Sequence, residues 1–358
     1  LQYDGTRRLS HARYPAHMSS LRPIVIVGGG LAGLSLGLAL RRENVPVVLH
    51  EAGRYPRHRV CGEFITGLDA GTIARLGLQP FLSDALQHRE VEWFLGDQSV
   101  RTQRLPQPAL GLSRYALDAR LAEAFVAAGG DLRVQSRLAD PTPQPGRILS
   151  TGRRRSHRSP WMGLKLHAIA LPVHRSLELH LGENAYVGLS RVEGDRVNVC
   201  GLFRRRELAA KNGEILLAYL RACGLSDLAA RLGQVARDPD SFSAVAGVAF
   251  DPRVSSDAPA TLGDACAMIP PFTGNGMAMA FQGAELALAP LLDYARGALS
   301  WNAACTRLQR DLRRNFRVRL ASAELLHPFL LQPPRQRWLS ALTRSRLLPL
   351  RPLYTLLH

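Results

Sequence analysis

Lysine is almost missing from this chain. Its 46 basic residues include only two lysines, Lys165 and Lys211, and arginine supplies the rest. The net charge of +17 therefore reflects arginine usage, which a GC-rich coding sequence produces as readily as a function does. The basic residues are spread along the chain without an aromatic-interleaved patch, so nucleic acid is not the expected partner. Long apolar runs are missing too. Nothing approaches the roughly 18 uninterrupted apolar residues of a membrane-spanning helix. There is no CxxC pair and no metal-ligand spacing among Cys61, Cys200, Cys223, Cys266 and Cys305. That odd, scattered set fits thiols in a reducing cytoplasm, the expected location. Internal repeats are absent. Residues 1–20 have no apolar core and Met18 precedes the first strand-like run, so this segment is expected to be a disordered extension.

What is present begins at Ile24–Gly33, IVIVGGGLAG. Four consecutive apolar residues, all of them β-branched, suit a strand buried on both faces of a parallel sheet. Gly28, Gly30 and Gly33 then form GxGxxG ahead of a helical run, Leu34–Leu40. The first glycine permits a tight turn, the second admits a pyrophosphate to the backbone, and the third lets helix and sheet pack closely. The helix N-terminus offers free N–H groups to the phosphates. A second apolar strand, Val45–His50, ends in Glu51, about 20 residues beyond the glycines, where an acid accepts hydrogen bonds from an adenosine ribose. An acid there favours FAD or NAD over NADP.

A second glycine cluster stands far away, in TLGDACAMIPPFTGNGMAMA (261–280). Gly263-Asp264 follows a short strand-like segment. Pro270, Pro271, Gly274, Asn275 and Gly276 make a loop that runs into a helix. A second loop-to-helix anion site fits a long ligand held at both ends.

The set of GxGxxG, distal Gly-Asp and PxxGxGxxxA resembles the FAD-dependent oxidoreductases of the hydroxybenzoate-hydroxylase fold, most closely the geranylgeranyl-reductase and flavin-halogenase branch. Pro56–Glu63 (PRHRVCGE) is similar to that branch's P-R-x-x-x-C-G run, and Ser113-Arg114 with Leu117-Asp118 and Leu121 to its S-R-x-x-L-D-x-x-L. The resemblance spans about residues 22–300. It implies that Gly28, Gly30, Gly33 and Glu51 bind the ADP half of FAD. Arg59 and Arg114 approach its phosphates, Asp264 its ribityl or pyrophosphate region, and Pro271 with Gly274–Gly276, Asn275 included, the flavin ring. A helix N-terminus aimed at the ring would stabilise the negative charge that reduction creates.

Three landmarks are altered. Ser150–Arg155 (STGRRR) stands where relatives carry Asp-Gly, and Ala139–Gly146 is a short loop where they have a β-excursion. Tyr186 is kept from a Y-x-W-x-F-P motif, but Gly188 replaces the tryptophan, which leaves room for a bulkier substrate. The catalytic candidates are Cys61, beside the flavin by resemblance, Glu63 as an acid or base, and Lys165 with His167. The last two lie two apart in a strand-like run and share a face. That face either lines a substrate cavity or is solvated.

The expected architecture is mixed α/β. A Rossmann-like FAD-binding domain of the GR2 type is assembled from 21–84, 105–160 and 251–300. An antiparallel-sheet substrate domain takes 85–104 and 161–250, with strands at 91–95, 164–170, 176–181, 185–189, 196–203 and 241–250 and helix over 205–235. Residues 301–358 form a basic helical tail broken at Pro333-Pro334, which packs on its own FAD domain or meets an anionic membrane or an acidic carrier. The implied activity is FAD-dependent oxidation of an apolar or aromatic specialised metabolite, free or carrier-bound. NAD(P)H supplies the electrons and a flavin C4a-hydroperoxide transfers one oxygen atom. The alternatives are a reductase of carbon–carbon double bonds in an isoprenoid or polyketide, in which Cys61 or a nearby group would serve as proton donor, and a flavin-binding redox partner without a substrate.

Overall fold

The computed structural model describes residues 21–138, 142–153, 156–250, 260–345 and 350–357. The extension expected at 1–20, the stretch 139–141 and Arg154-Arg155 lie outside the described residues.

The chain starts with β1 (Ile24–Val27), α1 (Leu31–Arg42) and β2 (Val47–His50). Every α1 residue from Leu31 to Leu40 is buried, the mark of a helix enclosed on all sides. It packs against β1 and β2 and against three later helices. The chain then leaves this layer for β3 (Phe64–Ile65), α2 (Ala70–Leu76), α3 (Gln79–Leu82), β4 (Leu86–Leu95) and β5 (Gln98–Gly111). It returns with α4 (Arg114–Ala127), β6 (Asp131–Arg133) and β7 (Arg147–Leu149). β1, β2, β6 and β7 form one parallel sheet in the order β6-β2-β1-β7, extended by a bridge from Leu149 to Thr261.

The second sheet is completed by β8 (Trp161–Ile169), β9 (Leu177–Gly182), β10 (Ala185–Val192) and β11 (Arg196–Arg204). Two helices follow, α5 (Gly213–Ala222) and α6 (Ser226–Gly233), then β12 (Arg237–Ala246). Its eight strands run β12-β8-β11-β10-β9-β4-β5-β3 and pair antiparallel except β4 with β9. β5 crosses the expected boundary at 104–105 unbroken, because its pairing with β4 continues to Gly111. The helix expected over 205–235 is two helices after a loop, split at Gly224, whose φ of +80° is closed to helix. The strand expected at 241–250 is shifted to 237–246, where Arg237 pairs with Ala168, and Gly247 at φ +71° ends it.

The remainder is α7 (Gly276–Ala295), α8 (Trp301–Leu331), α9 (Pro333–Arg344) and α10 (Leu350–Leu357). The helix break falls at Gln332, and Pro333 and Pro334 open α9, where a missing N–H costs nothing. α8 packs on α7 through Leu308, Leu312, Phe316 and Leu320, so this region is built into the body of the protein. Its outward side carries Arg313, Arg314 and Arg317. No helix among the described residues is long and apolar enough to cross a membrane.

The large sheet is covered on both faces. Leu164, Leu166, Val187, Val199 and Phe203 meet α5 and α6 on one side. On the other, Leu177, Leu179, Tyr186 and Leu202 face Leu330 and Leu331 of α8. The candidate site lies on this second face, between the two sheets.

Candidate functional site

The glycines differ in what their surroundings permit. A Cβ on Gly28, whose φ is +111°, would lie 2.2 Å from the Ser150 carbonyl oxygen. One on Gly33 would lie 2.1 Å from the Gly28 oxygen. These two positions let β1, β7 and α1 approach. Gly30 is different, because its nearest neighbour to such a Cβ is Arg114 Nη2 at 3.9 Å. The space in front of Gly30 is thus open and bounded by a guanidinium.

Glu51 is buried and accepts from the N–H groups of Gly29 and Gly53, both at 2.8 Å. Arg57 and Arg59 lie 3.0 and 3.6 Å from its oxygens. Asp118 receives Arg59 at 2.8 Å and a two-pronged contact from Arg114 at 2.7 and 2.8 Å. Burial alone would disfavour the Arg114 charge, but Asp118 outweighs it and holds the guanidinium protonated. Asp118, legible only as part of a motif, fixes both arginines expected near phosphate.

Asp264 occupies a one-turn helix at Gly263–Ala265. Burial raises its carboxyl pKa, while the charges of Arg153, Arg114 and Arg59 pull it down. Its neighbour in sequence, the Pro271–Thr273 turn, leads through Gly274 at φ +68° into α7. The N-termini of α2, α4 and α8 are closed by Asp69, Ser113 and Ser300. α1 and α7 have no side-chain cap, so their first-turn N–H groups are left for another acceptor. A Cβ on Gly276 would meet nothing within 4 Å. Asn275 is fully buried and donates from Nδ2 to the Leu357 carbonyl at 2.5 Å, so α10 is tied to this loop. Two open helix N-termini, a guanidinium beside one of them and a half-buried carboxylate between fit an extended ligand with a pyrophosphate, as FAD has.

Beside these elements lies an apolar cavity of about 250 Å³. One wall is Pro271, Phe272 and Thr273, from the loop that starts α7. Cys61 and Gly62 form a second wall, held on the sheet by Ser190, whose hydroxyl donates to Gly62 O at 2.7 Å, and Asn198, whose amide donates to Cys61 O at 3.0 Å. The floor is a row across the sheet, Trp93–Leu179–Gly188–Cys200, each paired with the next. A Cβ on Gly188 would meet no atom closer than 3.9 Å, so the glycine found in place of a tryptophan keeps the floor open. Leu326, Phe329 and Leu330 of α8 and Leu353 of α10 form the roof. Burial pushes the Cys61 thiol pKa up, against the pull of Arg114, and it stays protonated.

The other catalytic candidates come together, but not on the cavity wall. Lys165 and His167 are buried, not solvated, with exposures of 0 and 1%. His167 Nε2 lies 2.6 Å from Glu63 Oε2, and Lys165 Nζ 3.4 Å from Oε1. The Arg114 N–H also donates to Glu63 at 3.1 Å. Burial would raise the Glu63 pKa, but the His167 hydrogen bond and the Lys165 charge more than offset it and hold the carboxyl below its usual range. Glu63 has φ +56° and follows directly on Cys61-Gly62, so this network anchors the end of that loop. His58 extends it, with Nδ1 at 2.9 Å from Lys165 Nζ and the ring stacked on Tyr115. His58, His167 and Asp238 have ligand atoms within 4.8 Å of one another. The Lys165 ammonium beside them suits a hydrogen-bonded chain better than a cation.

His327 of α8 was not singled out in the sequence. Its ring sits among Trp161, Tyr186, Phe250 and Phe272, with Nε2 at 3.4 Å from the Tyr186 hydroxyl. Only its place in an apolar run, ELLHPFLL, marked it. Burial lowers its pKa to about 4, and burial does the same for His88, also to about 4. Both rings are neutral in the folded chain and regain an ordinary value near 6.5 when it unfolds. The unfolded state therefore binds more protons, and their stabilising contribution, complete above pH 6.5, is lost as pH falls toward 4. Each is expected to cost about 2 kcal/mol of stability on going from pH 7 to 5. Urea unfolding at both pH values checks this, and His327→Phe should lose less than the parent; an identical loss would rule His327 out as a source.

No family model matches the chain. A menaquinone reductase of Mycolicibacterium smegmatis is 24% identical over 129 residues, which cover 35% of this chain and 32% of that protein. The match thus spans about a third of that relative's length. Three solved structures align over most of the chain. PqsL, "a probable FAD-dependent monooxygenase from Pseudomonas aeruginosa", superposes with a TM-score of 0.68 at 17% identity, over 87% of this chain and 97% of its own. The flavin-dependent brominase Bmp2 gives 0.69 at 16%, over 93 and 92%. The halogenase PltM gives 0.69 at 14%, over 86 and 75%. The open helix N-termini, the glycine turn and the two-sheet arrangement thus belong to a fold that this chain shares with flavin-dependent monooxygenases and halogenases.

Proposed function

We propose that this protein is an FAD-dependent monooxygenase that acts on an apolar, ring-bearing small molecule and draws its electrons from NAD(P)H. One observation carries the reading. The loop Pro271–Gly276 is at once the wall of the apolar cavity and the uncapped start of α7. A ligand held at that helix end therefore borders the space where a substrate would lie. Gly28, Gly30, Gly33, Glu51, Arg59 and Arg114 would hold the ADP portion of FAD, Asp264 its middle, and Gly274–Gly276 the ring. The chemistry FAD supplies when bound is two-electron redox and the activation of dioxygen.

The chain's own residues do the rest. Leu179, Leu202, Leu330 and Phe329 exclude water from the cavity, which protects reactive species from side reactions. Ser190 and Asn198 fix the Cys61-Gly62 wall, and Glu63, Lys165 and His167 lock its end from behind. These last three are positioning residues. The basic outward side of α8 is where an anionic membrane or an acidic carrier would make contact.

Purified protein titrated with FAD should bind one equivalent with a shift in the flavin absorbance, and failure to bind would end this reading. With FAD bound, NAD(P)H oxidation should rise on adding a hydroxylatable aromatic compound, with label from ¹⁸O₂ in the product. The alternative, a reductase of carbon–carbon double bonds, would use the Cys61 thiol on the cavity wall as its proton donor. Under it, Cys61→Ser slows turnover at unchanged FAD content, whereas oxygen transfer leaves turnover close to that of the parent.

A further inference from the structure

Two polar atoms on the cavity wall make no hydrogen bond. Trp93 on β4 and Gln103 on β5 both line the cavity, and the indole Nε1 and amide Oε1 are buried without a partner among the described residues. In the β4–β5 register Val91 faces Gln103 and Trp93 faces Arg101. Trp93 and Gln103 are therefore diagonal neighbours on one face of the sheet, a spacing that long side chains bridge. Their surroundings are apolar, with Val91, Leu105, Leu177 and Leu339 beside them. A buried N–H or carbonyl left unpaired is costly, and native proteins rarely keep one without a use. Here there are two of opposite sense. The indole can only donate, and the amide oxygen can only accept.

The pair also has a definite place. Trp93 begins the row Trp93–Leu179–Gly188–Cys200, three strand spacings or about 14 Å along the sheet from Cys200. The Cys61-Gly62 wall is held on β10 and β11, the two strands that meet at Gly188 and Cys200. The polar pair thus lies at the end of the cavity away from that wall.

We propose that Trp93 and Gln103 form a polar subsite that takes a hydroxyl group at the far end of the substrate. The Trp93 N–H donates to the hydroxyl oxygen, and the hydroxyl donates to Gln103 Oε1. The substrate class is then an elongated apolar molecule of two or more rings that already bears a hydroxyl, held so that its opposite end meets the reacting centre. The assignment rests on the reading of the cavity as the substrate site.

The test uses FAD-loaded protein and three probes of nearly one shape, 4-phenylphenol, 4-methoxybiphenyl and biphenyl, in equilibrium dialysis. The first can donate and accept, the second can only accept, and the third can do neither. The parent should hold 4-phenylphenol about 10-fold tighter than biphenyl, with the ether between. Gln103→Leu should bring 4-phenylphenol down to the ether, and Trp93→Phe should bring the ether down to biphenyl, while biphenyl itself binds at least as well as before. Equal binding of the three probes by FAD-loaded parent overturns the subsite, as does a preference that survives both substitutions. Protein that takes up no FAD refutes the flavin reading instead, and the same dialysis on that protein still decides the pair.

Discussion

Gly30→Val should leave the protein folded and abolish its binding of FAD. The backbone at Gly30 has φ −88° and ψ −174°, an extended conformation that valine adopts readily. A side chain there meets only Arg114, at 3.9 Å from the first atom. The fold therefore tolerates it, whereas a pyrophosphate approaching the backbone does not. We expect a loss of at least about 100-fold in FAD affinity, or more than 2.7 kcal/mol. Thermal unfolding of the flavin-free protein should shift little. Gly33→Val makes the opposite case, since its Cβ would sit 2.1 Å from the Gly28 oxygen. That variant should lose the folded state itself. Far-UV circular dichroism and FAD titration of the two variants together separate a residue that makes room for ligand from one that makes room for the fold. A Gly30→Val protein that retains one equivalent of tightly bound FAD would refute the placement of the phosphates.

Glu63→Gln should destabilise the protein by about 3–5 kcal/mol, because it strands the Lys165 ammonium in the interior. Both side chains are fully buried, and the carboxylate also receives His167. A double variant that adds Lys165→Met removes the stranded charge and should recover more than half of the loss. The same pair sets a pH dependence. The folded Glu63 carboxyl lies below its unfolded value of about 4.3, so its contribution is complete above that pH. It fades as pH falls below 4.3 and through the folded value. Urea unfolding of the parent, both variants and a pH series measures all of this. Glu63→Gln as stable as the parent would mean that the network holds the loop by shape alone.

These expectations began in the sequence to different degrees. The ADP cradle was legible because it is local: Gly28, Gly30, Gly33 and Glu51 fall within 24 residues, and their spacing alone marks the turn, the helix start and the acid at the end of the next strand. The pairing of Lys165 with His167 on one face followed from strand periodicity. Their burial did not, because it depends on His58, Glu63 and Asp238 arriving from elsewhere. Ser190 and Asn198 were the uncharged polar residues with short side chains in strands otherwise mostly apolar apart from arginines toward their ends, and that contrast was a usable signal. Trp93, Gln103 and His327 had no such mark. A tryptophan in a strand is ordinary, and only the assembled wall shows that its N–H has no partner. The split at Gly224 was available from the glycine itself, whereas the run of β5 past residue 104 required the register with β4.

The path of the chain has a consequence for how such a protein can change. It starts in the parallel sheet, crosses to the large one for β3–β5, returns for β6 and β7, crosses again for β8–β12 and comes back at Thr261. Neither sheet is a contiguous stretch that one cut could release, and the cavity takes its floor from both excursions, Trp93 from the first and Leu179, Gly188 and Cys200 from the second, and its walls from both layers. A new substrate preference therefore cannot be acquired by grafting a cassette from a relative. It has to come from replacements made one position at a time on a shared scaffold, at places such as Gly188, Trp93 and Gln103, where a side chain faces open space.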